Sequence, residues 1–304
     1  MQVSTIFSEI KKIIPEEKIR LNEPMKLHTS FRIGGPADIL ILPTEISEIQ
    51  NIVIFCKKNK IPLYIIGNGS NLLVRDKGIR GVVLKIAQNF NDVKVEDTFI
   101  KAKTGILVTL LSKIALENSL KGLEFASGIP GTLGGAIVMN AGAYDGEFSN
   151  VIEKVTVMDY EGNIKDLKKD ELKFGYRWSI FQEEKYIILE ALIKLEKGNY
   201  DEIKSKMEEY SARRKAKQPL NLPSAGSTFK RPEGNFAGTL IEKAGLKGMR
   251  IGDAAVSEIH AGFIVNLGNA TAGDVEKLIE YIQNRVYEKF QIFLEPEVII
   301  LGEK

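Results

Sequence analysis

The sequence predicts an α+β fold divided into more than one domain. Three observations lead there. Amphipathic helical stretches and short β-branched runs follow one another without a steady βαβ rhythm, which argues against a doubly wound parallel sheet. At 304 residues the chain exceeds what one typical hydrophobic core supports, so two or three domains are expected. The character also changes near Lys197, where a strand-rich region gives way to the charged run DEIKSKMEEYSARRKAK, read as a linker helix into a separate C-terminal domain.

The chain opens on MQVSTIFSEIKKIIPEEKIR, a charged amphipathic helix rather than a secretory leader. LNEPMKLHTSFRIGGPADILILP then passes from polar loop to strand, with Gly34-Gly35-Pro36 marking a turn. Residues 44–60 read as an amphipathic helix opened by the capping-box-like Pro43-Thr44-Glu45-Ile46-Ser47-Glu48. A short buried strand over 62–66 runs into GNGSNLL at 67–73. GVVLKI and FIKAKTG are short strands, and residues 106–118 a helix. The stretch FASGIPGTLGGAIVMNAGAYDG, residues 125–146, is dense in glycine and nearly free of charge. VIEKVTVMDYEGNIKDL reads as strand, turn, strand with a hairpin signal in Glu-Gly-Asn, and YIILEALIKLEKG as one long strand or a strand pair. Beyond the linker helix come a loop over 219–232, a helix over 237–244, strands around 254–256 and 262–266, a helix over 271–290 and a last strand, FLEPEVIILG.

Composition excludes several function classes. Net charge is only +2, giving no reason to expect nucleic acid or an anionic membrane as partner. The single cysteine, Cys56, rules out an internal disulfide framework and a thiolate metal site. The two histidines, His28 and His260, stand far apart, so no metal centre is expected. No apolar run approaches membrane-spanning length, and a reducing cytoplasm fits the whole composition. Oligomeric state is not readable; a monomer is compatible with all of this.

Two glycine-rich loops carry the candidate chemistry. Gly67-Asn68-Gly69-Ser70-Asn71-Leu72 follows a strand but fails the dinucleotide fingerprint, because Leu72 stands where the third glycine belongs and no helix pattern follows. No Walker lysine motif exists either. The second loop, Ser127-Gly128-Ile129-Pro130-Gly131-Thr132 with Gly134 and Gly135, offers backbone N–H groups and short hydroxyls, the equipment of a phosphate cradle. It reads equally well as a tightly packed turn region. Two such loops could grip one pyrophosphate from two sides.

GNGSNLLV together with SGIPGTLGGAIVMNAGAYDG resembles the FAD-binding domain of vanillyl-alcohol-oxidase-type flavoproteins. Within that group the chain resembles the UDP-N-acetylenolpyruvoylglucosamine reductases (UDP-N-acetylmuramate dehydrogenases), from HTSFRIGGPAD to LEPEV near the end. It is similar to the branch without a tyrosine-loop insertion, because the segment after Arg177 is short. Three further segments carry that match: Phe174-Gly175-Tyr176-Arg177-Trp178-Ser179, Ser224-Ala225-Gly226-Ser227-Thr228-Phe229-Lys230, and Leu294-Glu295-Pro296-Glu297-Val298. Arg231 stands where one branch of the family has asparagine, so no substrate contact is carried over there.

The resemblance implies a two-lobed FAD-binding region over 1–200, split near 95, and a smaller α+β substrate-binding domain over 201–304 whose last strand is a candidate to return to the FAD region. It implies non-covalent FAD, held by the two loops with Asn140, Ala141, Gly142 and Ala143 beside the isoalloxazine, and NADPH as co-substrate. In the reaction so implied, a hydride reaches C3 of the enolpyruvyl group of a UDP-sugar. Arg177 and Glu297 then stabilise the resulting charge, and Ser227 protonates C2. Tyr176, Arg214 and Lys217 are implied to bind substrate. Singly, each of these residues has a plainer reading: a salt bridge for Arg177, a turn serine for Ser227, a sheet-edge carboxylate for Glu297. Two competing functions stand beside the reductase: a flavin oxidase of the same fold acting on a small alcohol or hydroxy acid, and a catalytically silent nucleotide-binding module.

Overall fold

The computed structural model describes residues 2–304. They form two compact units, each drawn from three separated stretches. One comprises residues up to 21, 39–68 and 81–214; the other comprises 22–38, 69–80 and 215–304. Both mix helices with short sheets, the expected α+β class.

The first unit holds two hydrophobic cores. One lies on residues 19–21, 39–41, 81–85 and 63–66 of the strands Ile19–Pro24, Pro36–Ile41, Ile79–Lys85 and Leu63–Ile66, in that order, the last two parallel. Helix α1 (Val3–Ile10) contributes Ile6 and Ile10. It is less than half the length the sequence suggests: the helix gives way to turn at Lys11, Pro15 disfavours helical backbone at Ile14, and a strand begins at Ile19. Helix α2 (Ile46–Lys58) buries Ile49, Ile52, Val53 and Cys56, the i, i+3, i+4, i+7 stripe of an amphipathic helix. Its first turn is closed by Glu48, whose carboxylate accepts from the Thr44 N–H at 2.8 Å.

The other core of this unit lies on a five-stranded antiparallel sheet ordered Ile164–Lys168, Ile152–Asp159, Tyr186–Lys194, Phe99–Lys103, Val93–Glu96. The expected hairpin at its edge turns on Gly162, at φ +88°, with the Asp159 carboxylate accepting from the N–H groups of Glu161 and Asn163. Helix α3 (Val108–Glu117) and the short helix α4 (Leu133–Val138) share this core with Phe125 and Phe148, whose rings meet edge to face at 5.6 Å. Helix α4 runs through the glycine-rich stretch, where no helix is legible. Helix α5 (Tyr200–Lys217) is the expected charged helix but not a spacer: Tyr210 is buried in this same core.

The second unit is built on helix α6 (Ala237–Lys243), helix α7 (Ala272–Phe290) and a three-stranded antiparallel sheet of Arg250–Ile251, Ala254–Val256 and Ile264–Asn266. Thr271 and Asp274 form a reciprocal capping box at the start of α7, which buries Val275, Leu278, Ile279, Ile282 and Val286. The last strand is shorter than its apolar run suggests. Ile299–Leu301 pairs parallel to Leu72–Val74, while Pro296, which has no N–H to give a ladder, makes only an isolated bridge to Phe229. Among the described residues no helix is long and apolar enough to cross a membrane.

Candidate active site

In the first unit the start of the first glycine loop meets the second loop. Asn68 Nδ2 donates to the Pro130 carbonyl at 2.8 Å, and a Cβ on Gly67 would fall well inside contact distance of Thr132 Oγ1. Gly67 is therefore required by the approach of one loop to the other. Thr132 is wholly buried and caps α4, its hydroxyl accepting from the Gly135 N–H at 3.4 Å.

The open choice between a cradle and a packed turn resolves residue by residue. Gly142 and Gly146 belong to the packed turn: a Cβ on Gly146 would press into the Phe125 ring at 2.5 Å, and one on Gly142 would meet the Gly146 carbonyl at 2.7 Å. The Ser127–Gly135 loop differs. Ser127, Ile129, Leu133 and Gly134 give their N–H groups to carbonyls of the protein, whereas those of Gly128, Gly131 and Thr132 find no protein acceptor among the described residues. Gly131 and Thr132 are buried, where an unmet donor is costly, so these N–H groups could hold an anionic ligand. Arg214, from α5, donates to the Gly128 carbonyl beneath that loop. Burial holds its guanidinium below the ordinary arginine range, with the Tyr144 hydroxyl acting against the shift. Tyr144 stacks on Tyr210 at 4.0 Å and donates to the Tyr210 carbonyl at 2.6 Å, fixing α5 against the glycine-rich stretch.

Arg177 sits at the tip of a two-residue turn. Gly175 and Trp178 exchange backbone hydrogen bonds, leaving Tyr176 and Arg177 between them, and Arg177 adopts φ +53°. Its guanidinium is half-buried, donates Nη2 to the Gly142 carbonyl at 3.1 Å and lies 5.1 Å from the centroid of the Tyr176 ring. Asn140 has no exposed surface. Its Nδ2 donates to the Gly175 carbonyl at 2.9 Å and its Oδ1 accepts from the Ser149 N–H at 2.8 Å. The asparagine read as lining a cofactor thus spends its side chain inside the protein. Ser179, the last residue of the Phe174–Ser179 motif, and Gln182, which the sequence does not mark, both donate to the Val138 carbonyl at the end of α4.

In the second unit Ser227 and Glu297 come together on adjacent chain segments. Phe229 and Pro296 form an antiparallel bridge, the Glu297 N–H donates to the Thr228 carbonyl, and the Lys230 N–H donates to the Glu295 carbonyl, both at 2.8 Å. Thr228 is buried and accepts from the Ile264 N–H, so the residue beside Ser227 is locked. Ser227 itself is exposed, following Gly226 at φ +78°, and Glu297 is half-buried. Asn71 holds Glu297 from the glycine loop, its Nδ2 donating to the Glu297 carbonyl at 3.0 Å. Gly69, at φ +66°, packs on the His28 carbonyl, so this part of the loop is again shaped by chain-on-chain approach. Lys217 is exposed at the end of α5. Arg177 belongs to the first unit, Ser227 and Glu297 to the second.

Comparison with known proteins accounts for this layout. Residues 37–168 match a family described as an FAD binding domain, and residues 218–301 match the C-terminal domain of UDP-N-acetylenolpyruvoylglucosamine reductase. The chain is 58% identical over 299 residues to the UDP-N-acetylenolpyruvoylglucosamine reductase of Caldanaerobacter subterraneus subsp. tengcongensis, covering 98% of this chain and 99% of that one. It is 52% identical to the reductase of the same name from Alkaliphilus metalliredigens, over the full length of both. Among solved structures it resembles UDP-N-acetylenolpyruvylglucosamine reductase from Thermus caldophilus, with a TM-score of 0.78, 36% identity, and coverage of 93% of this chain and 98% of that one. Relatives this similar over their whole length favour the reductase reading over an oxidase of the same fold. The chain belongs to the UDP-N-acetylenolpyruvoylglucosamine reductase family.

Proposed function

We propose that the chain reduces the enolpyruvyl group of UDP-N-acetylglucosamine enolpyruvate to the lactyl ether of UDP-N-acetylmuramate, a step of peptidoglycan precursor synthesis in the cytoplasm. The observation that carries this is full-length similarity to reductases of that name, joined to a chain that keeps Arg177, Ser227 and Glu297 in the expected order. FAD is the cofactor, bound without a covalent link: neither glycine loop contains a histidine or cysteine to attach it. The unmet N–H groups of Gly128, Gly131 and Thr132 suit its pyrophosphate, and Gly67 and Asn68, which meet that loop, start the second side of the grip. When bound, FAD supplies the two-electron chemistry, taking electrons from NADPH and giving them to the methylene carbon of the substrate.

The chain's own residues do the rest. Addition at the methylene carbon leaves negative charge on C2 and the adjoining carboxylate. The Arg177 cation and the Glu297 carboxyl stabilise that charge. Ser227 delivers the proton to C2, worth about 10²–10⁴-fold in rate, and regains a proton from solvent. Its exposed position next to a locked Thr228 gives that exchange a route. Tyr176, Arg214 and Lys217 bind the substrate, Arg214 from beneath the phosphate loop and Lys217 from the end of α5. In functional terms residues 1–200 serve chiefly FAD, with Tyr176 and Arg177 given to the substrate, and 201–304 serve the sugar nucleotide.

The test is spectroscopic. Purified protein is yellow, anaerobic NADPH bleaches the flavin band, and adding the enolpyruvyl sugar nucleotide restores it. A colourless protein that takes up no FAD would overturn the proposal. Rapid oxygen consumption with no need for the sugar nucleotide would replace it with the oxidase.

A further inference from the structure

We infer that Gln182, together with Asn140, positions Arg177, and that the mount for this arginine is the C-terminal end of α4. Arg177 occupies left-handed backbone, which a residue with a Cβ adopts unfavourably. A two-residue turn in that state relaxes readily by rotating the peptide after Arg177, which would swing its carbonyl and redirect its side chain. Gln182 holds that peptide on its carbonyl side, as the Trp178 N–H to the Gly175 carbonyl holds its other side. Gln182 Nε2 donates to the Arg177 carbonyl at 2.9 Å and to the Val138 carbonyl at 3.1 Å, tying the turn to the last residue of α4. Ser179, wholly buried, donates to the same Val138 carbonyl at 2.7 Å, and helix-terminal carbonyls of this kind have no partner within their own helix. Asn140 holds the other side of the turn through the Gly175 carbonyl, and Arg177 Nη2 reaches the Gly142 carbonyl.

Residues 138–142 therefore touch the arginine turn directly at two points, the Gly175 carbonyl and the Arg177 guanidinium, and hold the residues after it at Val138 through Ser179 and Gln182. Gln182 is the informative member because its side chain is exposed. It fills no core, so removing it leaves packing intact and changes only the freedom of the turn. Positioning of this kind matters because a small misplacement of a charge-stabilising group lowers rate steeply.

The inference rests on the reading of Arg177 as the residue that stabilises charge in the second half-reaction, and the experiment separates the two. Holoenzyme carrying Gln182→Ala, Gln182→Glu (the same length without a donor), Arg177→Ala, or Arg177→Ala with Gln182→Ala is reduced by NADPH and then re-oxidised by the enolpyruvyl sugar nucleotide in stopped flow. Both Gln182 variants are expected to slow re-oxidation about fivefold to tenfold, the equivalent of one lost hydrogen bond, with flavin reduction and thermal midpoint unchanged. Gln182→Ala is expected to add nothing in the Arg177→Ala background. Unchanged re-oxidation in the Gln182 variants, equal slowing of both half-reactions, or the same further loss in the Arg177→Ala background would overturn the positioning role. If Arg177→Ala alone leaves re-oxidation intact, the reading of Arg177 itself fails.

Discussion

Gly67→Ala tests whether the two glycine loops form one grip. Gly67 is not in the left-handed region, so alanine is tolerated by the backbone and the whole effect is the added methyl. That methyl would overlap Thr132 Oγ1, while the Thr132 Cβ and Cγ2 atoms lie at 3.4 and 3.5 Å, within ordinary contact. The hydroxyl must therefore yield by about 1 Å or rotate away, in a site already filled to native density. Rotation costs the N-cap of α4, about 1 kcal/mol. It also strands a buried hydroxyl, a further ~1–3 kcal/mol. The variant should be destabilised by roughly 2–4 kcal/mol and should lose flavin on desalting. Thr132→Ala removes the atom in the way, and alone it costs only the cap. The double variant should thus be more stable than Gly67→Ala alone and should regain flavin. Urea unfolding and the flavin-to-protein absorbance ratio read both effects. Strict additivity of the two substitutions would refute the contact and with it the single grip.

Three further outcomes follow from particular contacts. Burial alone would raise the Glu48 pKa, but the Lys18 ammonium at 2.5 Å and the N–H groups of Thr44 and Glu45 outweigh it and hold the carboxyl below its ordinary value of 4.5. A depressed carboxylate pKa stabilises the fold above the unfolded value and loses that contribution as pH falls through the folded one. Glu48→Gln should thus cost about 1–2 kcal/mol at pH 7, with the gap from wild type closing below pH 4.5, measured by urea midpoints at both pH values. Burial pushes the Cys56 thiol up to about 12, so it should resist a thiol reagent at pH 8 until the chain unfolds; rapid labelling of folded protein would contradict its placement. Asn71→Ala frees the Glu297 carbonyl and should slow re-oxidation of the flavin by the sugar nucleotide several-fold, read by stopped flow.

What the sequence disclosed was local. The stripes of α2 and α7 are readable because core positions recur at helical spacing, and the Asp159–Ile164 hairpin because Gly162 supplies the turn. The α+β class followed from the same signals. Helix α4 was hidden, being six residues long, glycine-rich and held by the buried hydroxyl of Thr132. The N-terminal helix gives way to turn at Lys11, and Pro15 disfavours helical backbone at Ile14. The amphipathic stripe of α5 is too sparse to announce that Tyr210 enters a core. That residues 69–80 belong to the second unit depends on pairing Leu72–Val74 with Ile299–Leu301, a partnership no local pattern encodes. The same holds for the site. The glycine loops, Arg177, Ser227 and Glu297 stand out as motifs, whereas the partners of Asn140 and Asn71 lie 35 and 226 residues away. Gln182 carries no motif at all, since its role exists only once the turn is folded.

The central claim is that the chain protonates a reduced enolpyruvyl group from Ser227 after FAD has been reduced. The two half-reactions of Ser227→Ala, followed separately at the flavin band under anaerobic conditions, test it most directly. Reduction by NADPH should proceed at the wild-type rate, while re-oxidation by the enolpyruvyl sugar nucleotide should fall by about 10²–10⁴-fold. Equal loss in both halves, or an undiminished second half, would contradict the claim.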